Sequence, residues 1–404
     1  MNSRFNLFTI ISLIVLLLGL SGCSQVKKLK FWGQDKPKAV VLKPLKEVKT
    51  SLKINKVWQI NTASAMGENK LHPYLDTKTV YVAGGTSASA WQASNGKAVW
   101  KTQIGENITA GVNGTLLSNP QTKRAVKSVA DQVFIGTASG NAIALDAKTG
   151  AIQWIERLSS EILSVSPSEN GRVAFRTVDG KLHGLTAKTG ELIWQRGQKT
   201  PALTQLGAGV PVIVANIVIT GFDNGKVVAY DLQTGQQLWE VVLALPSGNS
   251  DLDQIVDVDG KLKPLGNALF ATSLNGSTVG INLETGKQAW AKAFSSPTGI
   301  EASDFGLFSS DDKGNVWAFD PQTGNPAWSL DDLQDRQPSV PMLLNDSTLV
   351  VTDVQGNVHF IKAEDGSFVA RQKGDPKGYS VEPTISGKSI FLIGKTGLLS
   401  KYSL

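Results

Sequence analysis

The stretch Ala144-Leu-Asp-Ala-Lys-Thr-Gly-Ala-Ile-Gln-Trp154 decides the fold, because related stretches recur along the chain from residue 90 to residue 370. Most of them place a small, an apolar and a polar residue before two spacers, Thr-Gly, three more residues and Trp. Gly150 allows the positive φ that a tight turn requires, and Thr149 can hydrogen-bond the local backbone. The stretch therefore predicts a strand, a tight turn and a second strand that carries Trp154.

The turn glycine recurs at steps of 54, 40, 45, 51, 38 and 42 residues, which is the length of a four-stranded propeller blade. The glycines are Gly96, Gly150, Gly190, Gly235, Gly286, Gly324 and Gly366. A tryptophan follows four residues later in every unit except the last, where Ala370 stands. Because an indole buries a large apolar area, we expect each tryptophan to clamp its blade to the neighbouring blade.

The two ends of the repeat array complement each other. Residues 56–60 form a predicted strand with Trp58 but lack the preceding turn, whereas residues 389–402 form two predicted strands with no tryptophan strand after them. We therefore predict an all-β fold, an eight-bladed β-propeller over residues 50–404, whose ring is closed by the N- and C-terminal strands. A parallel β-helix is the alternative, but its repeats are shorter and would not explain the complementary ends.

The first 22 residues predict a signal peptide, with Arg4 ahead of an apolar run from Leu7 to Leu20. The following Leu20-Ser21-Gly22-Cys23 resembles the lipobox of bacterial lipoproteins, in which the cysteine is lipidated and becomes the mature N-terminus. We expect a lipid anchor on Cys23, with an ordinary signal peptide as the alternative. Cys23 is the only cysteine, which excludes an intramolecular disulfide. Ser24 follows where lipoproteins of the inner membrane commonly carry Asp, which favours the outer membrane.

The positive charge of the chain belongs to its N-terminal part. Residues 23–49 hold eight lysines and two acidic residues and predict a flexible tether, so that residues 50–404 carry a net formal charge of −1 out of the total of +6. A nucleic-acid-binding body would need a basic face, so we predict no nucleic acid as a partner. Two interpretations of the tether lysines remain open: they contact anionic lipid headgroups, or they are simply solvated.

The sequence offers no catalytic or metal-binding pattern. His72, His183 and His359 lie in different repeats without metal-ligand spacing, and neither G-x-S-x-G nor a Walker-type loop occurs. We expect His72 to be a structural hydrogen-bonding residue near the ring closure. We predict no catalytic, cofactor-binding or metal residue.

Two repeat steps, 54 and 51 residues, exceed the others and predict extra loops within residues 105–130 and 244–266. The first loop carries Lys123, Arg124 and Lys127. The second carries Asp251, Asp253, Asp257 and Asp259. A solvated acidic loop, a calcium site and recognition of a basic or polar partner surface all remain open for the second loop.

The repeat unit resembles that of the quinoprotein (PQQ-type) propellers. Together with the lipobox, the predicted eight blades and Leu71-His-Pro73, the chain resembles the BamB family, lipoproteins of the outer-membrane β-barrel assembly (BAM) machinery. The resemblance covers nearly the whole mature chain. It implies a non-enzymatic scaffold that faces the periplasm, binds the POTRA domains of BamA and helps nascent outer-membrane β-barrel proteins to reach the insertion machinery. It implies no cofactor.

The resemblance also implies a partner-binding patch. The family contacts BamA through an acidic Asp-Val-Asp, which Asp257 and Asp259 match, and through P-x-L-x-L-R-G, which residues 201–207 match in part. Leu203 and Gly207 match, while Gln205 and Leu206 replace the Leu and Arg of the family. We therefore expect Leu203, Leu206, Asp257 and Asp259 to form one patch, because adjacent blades present their loops on one rim.

Two further hypotheses remain. A PQQ-dependent periplasmic dehydrogenase shares the repeat, but such enzymes usually stack a vicinal disulfide on the quinone, which one cysteine cannot form. Exposed sheet edges on the ring could also bind unfolded barrel peptides by strand augmentation.

Overall fold

A computed structural model describes residues 42–62, 70–118, 125–127, 130–201, 203–204, 207, 209–247 and 249–404. The predicted signal peptide, Cys23 and residues 24–41 lie outside the described residues. Strands are the only regular elements in the described part of the chain, and no helix there is long and apolar enough to cross a membrane.

The strands form eight four-stranded antiparallel sheets, the blades, with one additional two-stranded sheet. The chain starts in the last blade with β1 (Asn55–Asn61). Blade 1 comprises β2 (Tyr74–Leu75), β3 (Thr79–Gly84), β4 (Ser87–Gln92) and β5 (Ala98–Gln103). Blade 2 comprises β6 (Ile108–Gly114), β9 (Gln132–Thr137), β10 (Asn141–Asp146) and β11 (Ile152–Arg157), with the separate hairpin β7 (Leu116–Ser118) and β8 (Ala125–Lys127) inserted after β6.

The remaining blades repeat this order. Blade 3 comprises β12 (Ile162–Val165), β13 (Arg172–Thr177), β14 (Lys181–Thr186) and β15 (Leu192–Gly197), and blade 4 comprises β16 (Val212–Val214), β17 (Ile217–Gly221), β18 (Lys226–Asp231) and β19 (Gln237–Val242). Blade 5 comprises β20 (Lys263–Leu265), β21 (Ala268–Thr272), β22 (Ser277–Asn282) and β23 (Gln288–Ala293), and blade 6 comprises β24 (Ile300–Ser303), β25 (Gly306–Ser310), β26 (Val316–Phe319) and β27 (Pro326–Leu330). Blade 7 comprises β28 (Met342–Asn345), β29 (Thr348–Thr352), β30 (Asn357–Lys362) and β31 (Phe368–Lys373), and blade 8 comprises β32 (Thr384–Ser386), β33 (Ser389–Ile393), β34 (Leu398–Ser403) and β1.

The repeated turn joins the third and fourth strands of a blade. In blade 2, Gly150 has a φ of 73°, and the backbone N–H of Ala151 donates to the Thr149 hydroxyl at 3.3 Å. The Asp146 carboxylate accepts hydrogen bonds from the backbone N–H groups of Lys148 and Thr149 at 3.0 and 2.8 Å. The turn conformation expected from the sequence is therefore confirmed, with Asp146 as an additional acceptor that holds it.

Seven tryptophans on outermost strands clamp each blade to the next, as predicted. Each indole N–H donates to a backbone carbonyl in the turn of the following blade, at 2.8–3.3 Å. The pairs are Trp58 with Ala93, Trp100 with Ala147, Trp154 with Ala187, Trp194 with Leu232, Trp239 with Leu283, Trp290 with Pro321 and Trp328 with Ala363. The indole also lies on the turn glycine of that blade. A Cβ added to Gly190, for example, would stand 2.6 Å from the ring of Trp154.

The ring closes as the sequence predicts, because β1 pairs with β34 and places Trp58 opposite Lys401. The interface between blades 7 and 8 differs from the others, since Ala370 stands where the other blades carry tryptophan. Leu52 and Ile54 pack there instead, against the buried cluster that contains Ala370 and Tyr402.

Residues 42–54, here called the strap, run along the outside of blades 6 and 7. The Ser51 N–H donates to the Val369 carbonyl at 2.9 Å, and the Arg371 guanidinium donates to the Lys46 carbonyl at 2.8 Å. The Lys46 ammonium lies 2.8 Å from the Asp332 carboxylate. Residues 42–49 of the predicted flexible tether are therefore packed on the propeller, because these contacts hold the backbone and Leu45 packs against the buried cluster of blades 6 and 7.

Candidate functional site

The connections between blades all cross one face of the ring. Strands alternate in direction within a blade, so each chain segment that leaves an outermost strand starts on the same face as the hairpin between the second and third strands. Residues 198–211 connect blade 3 to blade 4, and residues 243–262 connect blade 4 to blade 5. The two segments that the sequence singled out are therefore neighbouring connections on this face, which we call the connection face.

The structure brings the two segments into direct contact. A Cβ added to Gly207 would lie 1.9 Å from a carboxylate oxygen of Asp259, and Gly209 packs on the Asp259 backbone. Glycine is needed at position 207 because a side chain there would displace Asp259. Leu206 and Gln205 lie outside the described residues.

Asp259 is held by a buried arginine. The guanidinium of Arg176, in the middle of β13, is fully buried and lies 2.8 Å from Asp259, and its other terminal nitrogen contacts Asp223 in the hairpin that follows β17. Burial lowers the pKa of Arg176, but the Asp259 and Asp223 carboxylates outweigh it and leave that pKa raised. Arg176 thus stays charged and ties blade 3, blade 4 and the second connection together.

The structure buries Asp257 and Asp259, the two acids for which the sequence predicts contact with a partner. Asp257 is 3% exposed and the Asp259 side chain is 7% exposed. Their contact with a partner stays a prediction. A buried charge is unfavourable unless an opposite charge lies beside it. Asp259 therefore faces inward, where it pairs with Arg176. Asp251 and Asp253 are the exposed acids of this connection. In the described residues, no group of three or more His, Cys, Asp or Glu side chains could hold a metal ion.

Three leucines are among the exposed side chains of the two connections. Leu203 is 50% exposed in the first connection, and Leu245 and Leu252 are 70% and 73% exposed in the second. The second connection is anchored on blade 5, where the Asn275 amide donates to the carbonyls of Leu252 and Ile255 at 2.9 and 3.0 Å. Sequence reasoning missed Leu245 and Leu252, although apolar residues within an otherwise polar loop are a usable signal. It also missed Arg176, whose signal is a charge inside an apolar strand.

The centre of the ring holds a cavity of about 800 Å³. Three of its lining residues, His72, Lys261 and Glu382, contact oppositely charged or titratable side chains. Glu301 contacts both Lys261, at 2.9 Å, and Lys263, and His72 lies 3.4 Å from Glu382 beside the ring closure. Burial lowers the pKa of Lys261, but Glu301 and Glu382 outweigh it, so that the lysine stays charged. These pairs join neighbouring blades across the cavity wall.

The other predicted insertion lies on the opposite face. The hairpin β7–β8 follows the innermost strand β6, so it projects from the face that carries the repeated turns. Lys123 and Arg124 lie outside the described residues. The two insertions therefore do not form one surface.

Comparisons with known proteins identify the family of this chain. Residues 113–330 match the family model described as outer membrane protein assembly factor BamB. The chain is 32% identical to the BamB of Pseudomonas aeruginosa over 97% of this chain and 98% of that protein. It is 31% identical to the BamB of Burkholderia pseudomallei, over 88% of this chain and 89% of that protein.

Solved structures share the fold. The crystal structure of BamB from Moraxella catarrhalis superposes with a TM-score of 0.76 at 24% identity, covering 87% of this chain and all of that one. Quinohemoprotein alcohol dehydrogenase from Comamonas testosteroni has a TM-score of 0.64 at 14% identity over 87% of this chain and 76% of that one, a likeness of fold alone. The relatives close in sequence are assembly factors rather than enzymes. This chain belongs to the BamB family of outer membrane protein assembly factors.

Proposed function

We propose that this protein is a scaffold of the outer-membrane assembly machinery that binds the POTRA domains of BamA through the connection face of blades 3 to 5. The observation that carries the proposal is the contact between two neighbouring connections that expose Leu203, Leu245 and Leu252. Exposed apolar side chains on rigid loops are typical of protein interaction sites, where a few buried anchors supply most of the binding energy.

In this proposal the leucines contact the partner and the buried acids shape the site. Asp259 fixes the second connection against Gly207 and Arg176, and Asp257 is buried beside it in the same connection. Leu206 adjoins Leu203 in sequence and is proposed as a further apolar contact. The exposed Asp251 and Asp253 add negative charge at the edge of this surface, which suits a basic partner and speeds association.

We further propose that Cys23 carries the lipid that holds the protein at the periplasmic side of the outer membrane. The lipobox and the position of Ser24 support this assignment. Anchored there, the propeller would keep BamA and nascent β-barrel proteins close to the membrane. Mass spectrometry of the detergent-extracted protein tests the anchor, because acylation adds the mass of fatty chains to the N-terminal Cys23 peptide and Cys23→Ser removes it.

The binding site is tested with the full-length protein and a purified POTRA fragment of BamA. Leu203→Glu together with Leu252→Glu should weaken binding at least tenfold, because both side chains are exposed and the substitutions put charges where an apolar contact is expected. Isothermal titration calorimetry measures the change. Substitutions at Asp259 are poor probes, since they would leave Arg176 buried with less compensation and disturb the loop itself.

Phe305→Glu is the matched control. Phe305 is 51% exposed, much like Leu203, but it lies in the turn between β24 and β25 on the opposite face. Its substitution should leave the affinity for POTRA domains within twofold of the unmodified protein. Unchanged binding in the double leucine variant, or equal loss in the Phe305 variant, would contradict the assignment of the connection face.

A further inference from the structure

The outermost strands of the blades differ around the ring. Large apolar side chains, 41–54% exposed, occur in pairs on three successive outermost strands. They are Ile152 and Ile155 on β11, Leu192 and Ile193 on β15, and Leu238 and Val242 on β19. Strands β1 and β5 expose one such residue each, Val57 and Val99. The apolar edges thus form an arc that is strongest on blades 2 to 4.

Blades 5 and 6 lack this feature at the same repeat position. The residue before the clamping tryptophan is Ile193 in blade 3 and Leu238 in blade 4, but Ala289 in blade 5 and Ala327 in blade 6. All four side chains are exposed. Strand β27 also begins with Pro326, which cannot donate a backbone hydrogen bond. The fold therefore does not require the large apolar residues of blades 3 and 4.

The corresponding edge of blade 7 already carries an extended segment. The strap lies along β31, where Ser51 donates its backbone N–H to Val369 at 2.9 Å and Leu52 packs into the adjacent cluster. Strand β31 is accordingly the most buried of the outermost strands. At this outermost edge a segment from outside the blade therefore makes both a backbone hydrogen bond and apolar side-chain contacts.

The edges of blades 2 to 4 are open to the same kind of contact. In the described structure β11, β15 and β19 each pair with a neighbouring strand along one side only, and each has six residues without proline. Most innermost strands, by contrast, are only two to four residues long. Unpaired backbone groups beside exposed apolar side chains are the features that strand addition uses.

We propose that the outer edges of blades 2 to 4 bind extended peptides with alternating apolar side chains, the pattern of transmembrane β-barrel strands. Such strands alternate apolar and polar residues over about ten positions. An extended segment pairs its backbone with β11, β15 or β19 and places every second side chain against the exposed isoleucines and leucines. The inference rests on the proposed function in outer-membrane assembly, and it assigns the unfolded barrel chain to a surface separate from the connection face.

The test uses the full-length protein in lipid nanodiscs and a fluorescent ten-residue peptide that alternates Val and Thr. Fluorescence anisotropy should show binding that the variant Ile193→Lys with Leu238→Lys weakens at least fivefold. A peptide of the same composition with its valines in one block should bind at least fivefold more weakly than the alternating peptide. Ala289→Lys with Ala327→Lys is the matched control, at the same repeat positions of blades 5 and 6, and should change the affinity less than twofold.

Binding of BamA POTRA domains is measured on the same variants. The lysine substitutions on blades 3 and 4 should leave POTRA binding unchanged, so that failure of the edge and failure of the connection face are distinguished. Equal effects of the two lysine pairs, or equal binding of the two peptides, would overturn the proposal. Dimerisation of the unmodified protein that the Ile193 and Leu238 substitutions abolish would also overturn it, by assigning the edge to a second copy of this chain.

Discussion

The interface between blades 4 and 5 and the interface between blades 7 and 8 solve the same packing problem differently. At the first, Trp239 donates to the Leu283 carbonyl at 2.8 Å and lies on Gly286. At the second, Ala370 leaves a gap, which Leu52 and Ile54 of the strap help to fill. The repeat thus carries its own clamp in seven interfaces, whereas the eighth depends on residues more than 300 positions away in the sequence.

The seven interfaces with a tryptophan clamp should therefore be more stable than the eighth interface, which the strap helps to fill. A tryptophan clamp forms between neighbours in the chain, so it costs little loop-closure entropy. The strap is held by fewer and more exposed contacts, such as Lys46 with Asp332. In the sequence the strap follows the segment that contains Cys23, the predicted lipidation site.

The largest effect should come from removing a clamp. Trp239→Ala should lower the free energy of unfolding by about 3–5 kcal/mol, because it leaves a cavity between blades and an unpaired Leu283 carbonyl. Urea denaturation followed by circular dichroism measures the loss. Trp91→Ala is the control, since the Trp91 indole bonds to Ser89 within its own blade at 2.9 Å and should matter less. Equal losses would remove the distinction between clamping and other tryptophans.

The strap should matter less than a clamp. Leu52→Ala together with Ile54→Ala should lower the free energy of unfolding by roughly 2–4 kcal/mol, because both side chains are only partly buried. Hydrogen exchange should then increase in β31 and β34 before it increases in blade 4. Val57→Ala, on the exposed side of β1, should have an effect below about 0.5 kcal/mol. A loss as large as that of Trp239→Ala would show that the two interfaces are equivalent.

A smaller effect isolates the contact between a tryptophan and a turn glycine. Gly190 and Gly171 have φ values of 77° and 74°, so alanine is strained at both. The added Cβ meets Trp154 at position 190 and nothing within 4 Å at position 171. Gly190→Ala should therefore be more destabilising than Gly171→Ala by about 1–2 kcal/mol, the cost of overpacking. Identical thermal denaturation midpoints would mean that the indole can move aside freely.

The smallest predicted effect is a pH dependence of the free energy of unfolding, which arises from histidines in blades 3 and 7. His183 and His359 occupy the same repeat position, and burial lowers the pKa of His183 to about 4. Because the unfolded chain binds more protons than the folded chain below about pH 7.5, stability should be constant above that pH, fall by about 1 kcal/mol between pH 6.5 and 5.5, and continue to fall down to the pKa of the folded state. His183→Gln should flatten the profile measured by urea denaturation. An unchanged slope would assign the titration elsewhere.

In blade 7 the corresponding histidine, His359, is linked to the strap through Arg371. Burial lowers the pKa of His359 despite the opposing effect of Asp353. The ring accepts a hydrogen bond from Arg371 at 3.1 Å, and Arg371 in turn holds the Lys46 carbonyl. Protonating His359 would remove that acceptor, so the amide protection factors of residues 42–54, which allow for the intrinsic effect of pH on exchange, should fall from neutral to acid pH in the unmodified protein. Equal protection factors at the two pH values would contradict the link between His359 and the strap.

Much of the fold could be predicted because its signals are local. The turn glycine, the acceptor before it and the tryptophan after it lie within eleven residues, so one blade can be recognised without its neighbours. The complementary ends then predict the closed ring. The strap could not be predicted in this way, because its lysine-rich composition is typical of a solvated linker and its partners Asp332 and Arg371 are remote in the sequence.

For the candidate site, the sequence by itself singled out two segments, and the tertiary structure decided how their residues are placed. Excess length singled out the connection after blade 4, and adjacency of blades predicted that it lies beside residues 201–207. Only the folded ring places Arg176 of β13 beside Asp259, and this contact buries an acid for which the sequence predicts a partner contact. The reason is physical: the charge pattern of a loop is written in sequence, but the burial of each charge depends on which opposite charge a distant strand brings to it.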